Sequence, residues 1–134
     1  MSTIFSRIIR GEIPSHRIAE SEEFYAFLDI NPIQMGHTLI VPKREEDYFF
    51  DLSDEELGAM MRFSKVVASA IKAATQCEKV GLAVMGLEVN HAHLHLVPIS
   101  GLGDMDFKQK IEPKAGELAS WAERIREHLP KHYL

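Results

Sequence analysis

The chain has 134 residues, 46% hydrophobic and 26% charged, enough apolar sequence to enclose one core without covalent staples. Its 15 lysines and arginines face 20 acids, a formal charge of −5, which argues against nucleic acid as a partner but leaves room for a small phosphate ligand in a locally suited pocket. A lone cysteine, Cys77, excludes an internal disulfide; without a charged-then-apolar leader or a long apolar run, the expected setting is the cytoplasm, with no membrane partner.

Ile4, Phe5, Ile8 and Ile9 fall at helical spacing and Gly11 follows as a left-handed stop, predicting a short first helix that Pro14 ends. Residues 17–20 and 24–28, separated by Ser21-Glu22-Glu23, predict a hairpin. Asp29-Ile30-Asn31-Pro32 predicts a turn, and Thr38-Leu39-Ile40-Val41, after Gly36-His37 and closed by Pro42, a short buried strand. The clearest helix opens at Ser53, whose hydroxyl caps the first turn while Glu56 reaches back and Leu52 staples onto Leu57. Its core stripe reads Leu57, Met60, Met61, Ser64, Val67, Ala68 and Ile71, with the methionines as packing.

Lys79 to Met85 predicts a strand and Gly86 to Asn90 its turn, returning into an antiparallel partner that begins at His91. A charged loop from Gly101 to Pro113 leads to a final helix with Leu118, Trp121, Ala122 and Ile125 on one face. This order of elements predicts a single α+β domain, 1–134, with an antiparallel meander of about five strands packed on the long helix and short helices at both ends. Such a sheet needs its edges managed, so a homodimer pairing one edge with a second copy is expected.

The segment returning from that turn reads His91-Ala92-His93-Leu94-His95-Leu96-Val97. In extended backbone the three histidines project to one side and Ala92, Leu94 and Leu96 to the other. A row of imidazoles at neutral pH offers a nucleophile, proton carriers or metal ligands. Two same-face rings with Glu88 as a third ligand would suit a metal-dependent hydrolase. A phosphorus centre ringed by anionic oxygens favours a neutral imidazole over a carboxylate as attacking group.

The histidine row, with Ile4-Phe5, Ile8-Ile9, Gly11-Glu12-Ile13-Pro14, Phe27 to Pro32 and Gly36 to Lys43 upstream, resembles the histidine triad family over roughly residues 3–99; the stretch 100–134 stands as a C-terminal extension. The resemblance implies a nucleotide-binding hydrolase or transferase, usually a homodimer, acting at the α-phosphate of nucleoside phosphoramidates or dinucleoside polyphosphates without a cofactor. It implies His93 as the nucleophile that forms a nucleotidyl-histidine, with His95 and His91 holding phosphate and positioning the reacting ring. It also implies Asp29 as the ribose-binding acid, and Phe5, Ile8, Phe27 and Ile30 as apolar walls around the base. Two features depart from the family pattern. Before the triad, Leu87 stands in place of a glutamine and Glu88 in place of a hydroxyl residue, where an acid would bind an amine leaving group or orient water. Thr3 and Ser6 occupy the positions where many relatives carry zinc-binding cysteines, with His37 and His91 as the matching histidines; hydroxyls are poor zinc ligands, so no metal is expected. A nucleotide-binding adaptor with little turnover is the non-enzymatic alternative.

Overall fold

The computed structural model describes residues 2–134. Its elements run α1 (Ile4–Ile9), β1 (Arg17–Glu20), β2 (Phe24–Leu28), β3 (Thr38–Pro42), α2 (Asp54–Thr75), β4 (Lys79–Ala83), β5 (Leu94–Ile99) and α3 (Glu117–Arg126), with 3-10 turns at Phe49–Asp51, Leu102–Met105 and Lys131–Tyr133. The five strands form one antiparallel sheet in the order β1-β2-β3-β5-β4. The fold is thus α+β. The long helix α2 carries the chain past the place of β5, so β4 lies at the edge and β5 returns into the middle beside β3.

Alternation along the central strands builds two apolar layers. Phe24, Ala26 and Leu28 of β2, Ile40 of β3, and Leu94 and Leu96 of β5 join Met60, Phe63, Val67 and Ile71 of α2 and Ala122 and Ile125 of α3 in one core. On the opposite face Tyr25, Phe27, Leu39 and Val41 pack with Phe5 and Ile8 of α1. Both faces are covered, which is why β2 reads Phe-Tyr-Ala-Phe-Leu without a polar position. Because α3 shares the main core, the C-terminal extension is built into the same body as the sheet.

Helix starts follow local chemistry. Thr3 caps α1 by accepting the Ser6 N–H, and Ser53 with Glu56 forms the reciprocal capping box of α2. Gly11, at φ +79°, supplies the left-handed exit from α1.

Three expectations need correction. The long-helix stripe runs through Met60, Phe63, Ser64, Val67, Ala70 and Ile71; Met61, one position round the helix from Met60, is half exposed. Strand β4 ends at Ala83, two residues short of Met85. Strand β5 begins at Leu94, so His91 and His93 precede it. Their segment still continues the side-chain alternation, because the Ala92 N–H bonds to the Glu46 carbonyl, in the loop after β3, in place of a strand partner.

Candidate active site

A cavity of about 380 Å³ opens on the α1 face of the sheet. Its lining includes His93, His95, Glu88, Asp29, Ile30, Phe27, Phe5 and Ile8, eight of the nine residues expected at a site. His91 is the exception: it is fully buried behind the cavity.

Hydrogen bonds assign the tautomer of each ring. The His93 Nδ1–H donates to the His91 carbonyl at 2.7 Å, leaving the Nε2 lone pair as its reactive edge. Among the described residues Nε2 has no partner, and it is not sealed from the cavity. The Phe5 ring meets His93 edge-on at 5.0 Å and fixes its tilt. His91 donates from Nε2 to the Pro42 carbonyl at 2.8 Å, and its Nδ1 accepts from the Thr3 hydroxyl at 2.6 Å. Of the two parts expected of His91, holding phosphate and positioning the reacting ring, its buried and doubly bonded ring is suited to the second, as an anchor. It ties the end of β3 and the cap of α1 to the backbone carbonyl that orients His93.

A second chain of bonds sets His95. The Ile33 N–H donates to His37 Nδ1 at 3.1 Å, so the proton of a neutral His37 sits on Nε2. That Nε2–H donates to His95 Nδ1 at 2.9 Å, which places the His95 proton on Nε2. The cavity thus holds one imidazole presenting a lone pair and another presenting an N–H, their ring centres 5.1 Å apart. Gly36, at φ +99° and with Thr75 3.1 Å from where a Cβ would stand, makes the turn that delivers His37.

Burial keeps these rings neutral. Desolvation pushes His95 down to about 3, helped by the neighbouring His37, His93 and Lys110. It pushes His37 down to about 4 against the opposing pull of Asp29. His91 and His93 are lowered for the same first reason.

Asp29 serves two ends. Its Oδ1 accepts the Asn31 N–H at 2.8 Å in an Asx turn, while Oδ2 lies 3.6 Å from His37 Nε2 at the cavity wall. Glu88 is exposed at the lip, and its charge acts on His93.

The sequence pairing of His37 with His91 does not hold in space. Glu45, not His37, completes the group at Thr3, Ser6 and His91, accepting from the Thr3 N–H at 3.0 Å and from the Ser6 hydroxyl. His37 belongs to the relay behind His95. Phe107 and Lys110, in the unassigned extension, also line the cavity. Nothing in their local sequence marks them, whereas His37 carried a signal as a polar ring directly ahead of an apolar strand.

An imidazole presenting a lone pair and another presenting an N–H stand side by side where the chain enters β5, within the segment His91-Ala92-His93-Leu94-His95, and the chain belongs to the histidine triad family: the HIT domain model matches residues 10–101. It is 37% identical over 120 residues to an adenosine 5'-monophosphoramidase of Saccharomyces cerevisiae, covering 88% of this chain and 68% of that protein. An uncharacterised HIT-like protein of Methanocaldococcus jannaschii is 39% identical over 105 residues, 71% of this chain and 77% of that one. Among solved structures, a zinc-bound histidine triad protein from Mycobacterium smegmatis superposes with a TM-score of 0.83 at 28% identity, covering 96% and 93% of the two chains. A HIT-like protein from Bartonella henselae gives 0.82 at 30% identity, with 96% of each chain covered.

Zinc does not suit the donors found here. Around His91 they are two hydroxyls and one carboxylate, already hydrogen-bonded to one another and to the ring, with no thiolate among them. Asp29, His37 and His95 offer ligand atoms within 4.8 Å of one another, but His37 turns an N–H toward that space where a metal needs a lone pair.

Proposed function

We propose that this chain is a nucleotide hydrolase or nucleotidyl transferase that cleaves at the α-phosphate of nucleoside phosphoramidates or dinucleoside polyphosphates. The observation that carries this reading is the His93 Nε2 lone pair, unpartnered at the cavity and locked in place by the Nδ1–H bond to the His91 carbonyl. In this reading Nε2 attacks phosphorus, the P–N or P–O bond breaks, and the leaving group departs with a proton from water at the cavity mouth. The hydroxide left by that proton transfer attacks the phosphorus of the nucleotidyl-histidine, the P–Nε2 bond breaks, and the nucleoside monophosphate leaves with His93 restored to its neutral form. The His95 Nε2–H donates to a non-bridging oxygen, a contribution of about 2.7–4 kcal/mol for a well-placed donor. His91 acts through its carbonyl and its anchored ring, as a positioning residue.

Asp29 Oδ2 receives ribose hydroxyls, Phe5, Ile8, Phe27 and Ile30 flank a purine, and Glu88 meets the leaving group or orients water. The named activity of the yeast relative supports the phosphoramidate arm. We read residues 1–134 as one domain acting in the cytoplasm, in keeping with the single free cysteine. A homodimer formed along the β4 edge is part of the same reading. Among the described residues no helix is long and apolar enough to cross a membrane.

Mass spectrometry of the chain incubated with adenosine phosphoramidate tests the mechanism. The expected result is an adenylyl adduct on His93, insensitive to chelator, and a loss of kcat on the order of 10⁴ or more in His93→Ala. Tight AMP binding with no adduct would make the chain an adaptor. Activity abolished by chelator would restore the metal reading.

A further inference from the structure

The proposed substrate poses a problem of charge. Burial holds the clustered rings neutral, His93 and His95 at the cavity wall and His37 and His91 behind it, and two other lining residues, Asp29 and Glu88, are acids. A nucleotide phosphate entering this space brings further negative charge, and N–H donors alone offset it only in part. Among the described residues lining the cavity, Lys110 is the sole lysine or arginine.

The way Lys110 reaches the cavity is built into the extension. After β5, the turn Leu102–Met105 lays Met105 against β4 at Gly81, where a Cβ would come within 3.0 Å of the methionine sulfur. Asp106 then folds the chain, its carboxylate accepting the Lys108 N–H and its carbonyl the Gln109 N–H. Phe107 turns inward and sets its ring edgewise on His95, at 5.0 Å, and on His37, at 5.9 Å. Four residues later the Ile111 N–H bonds to the Pro32 carbonyl at 2.7 Å, fastening the loop to the turn that carries Asp29. Lys110 is therefore held between two anchors, both on the site. No carboxylate lies within ion-pair distance of it among the described residues, and its charge is felt by His37 and His95.

We propose that Lys110 is the phosphate-binding cation of this cavity, a specificity residue contributed by the C-terminal extension that favours ligands bearing anionic phosphate at the His95 end. The proposal rests on the nucleotide reading above. It assigns the loop of residues 106–111 to the site, and it gives the chain a compensating phosphate contact where Leu87, 90% exposed at the rim, has no polar group to offer.

Calorimetric titration of the full chain with AMP and with adenosine separates the phosphate from the nucleoside. In Lys110→Ala, AMP affinity is expected to fall about tenfold, the range of one hydrogen bond to a charged group at a partly solvated site. Adenosine affinity should stay unchanged, Lys110→Arg should restore AMP binding, and the difference between variants should shrink as salt is raised. With adenosine phosphoramidate as substrate, the alanine variant should raise KM more than it lowers kcat. Equal AMP affinity in wild type and Lys110→Ala overturns the Lys110 assignment and leaves the nucleotide reading standing. Parallel weakening of AMP and adenosine also overturns it, because the lysine would then only brace the loop. A wild-type chain that binds neither ligand overturns the nucleotide reading itself, and the lysine assignment with it.

Discussion

Every role assigned to the clustered imidazoles depends on their being uncharged, and burial enforces that state at a cost that pH exposes. His37 and His95 would take up a proton near pH 6.5 in the unfolded chain, but in the fold desolvation pushes them to about 4 and about 3. A group depressed in this way lends its full stability above pH 6.5 and loses it as pH falls toward the folded value, because the unfolded state binds the proton first. The charged neighbours do not reverse that sign: Asp29 pulls His37 up, Lys110 pushes both rings down, and burial exceeds either. Urea unfolding is therefore expected to show constant stability above about pH 7.5 and a decline between pH 6.5 and 4.5, with a slope of up to about 1.4 kcal/mol per pH unit for each buried ring. The acids held low by hydrogen bonds, Glu45 by Ser6 and Glu56 by Arg44, lose their contribution only below the ordinary carboxylate range, so the window belongs to the imidazoles. A stability profile flat from pH 7.5 to 4.5 would contradict the neutral, buried cluster and the tautomers derived from it.

Within the elements, one polar atom is out of place. Ser64 on α2 is buried against the sheet, and its hydroxyl has no hydrogen-bond partner among the described residues. Substituting alanine removes an unsatisfied group and improves helix propensity, so Ser64→Ala should raise stability by about 1 kcal/mol, or roughly 4 °C in Tm. A lower Tm in that variant would mean that the hydroxyl has a partner in solution. Sequence patterning reached these elements because their signals are local. The Ser53–Glu56 capping box, the short apolar runs of β2 and β3 bounded by polar and turn residues, and the face of α3 through Ala122 and Ile125 are each written within a few turns or a few residues. What it could not reach was pairing. The histidine segment alternates like a strand, yet whether it lies in the ladder depends on the loop after β3, which supplies Glu46 and no strand. The contacts of His37 with His95 and of the Phe107–Lys110 loop with the cavity and the Pro32 turn join segments brought together only by the fold. They follow from topology and leave no spacing to read.

At the scale of the whole molecule, the sheet is unfinished on one side. The β1 edge is flanked by α3, whose Arg126 donates to the Arg17 carbonyl, but among the described residues β4 pairs only with β5, which leaves its outer edge without a strand partner. The same flank carries Leu82, and the neighbouring segments carry Tyr48, Phe50, Met85 and Leu87, all exposed. Tyr48, Phe50, Met85 and Leu87 line a second cavity that shares His93 with the first. An unpaired edge beside grouped apolar side chains is the arrangement that a second copy buries, by continuing the antiparallel ladder and covering the aromatic rings. Sedimentation at micromolar concentration is therefore expected to give a species of twice 15.2 kDa. Leu82→Glu, which places a charge at a half-exposed position of that edge, should shift it toward the monomer. Because His93 borders the second cavity, the partner would also brace the Met85–Leu87 segment of the site, so the monomeric variant should lose kcat while its secondary structure stays intact. A wild-type chain that sediments at 15.2 kDa would remove the dimer from this account; a monomeric variant with unchanged turnover would show that each chain completes its own site.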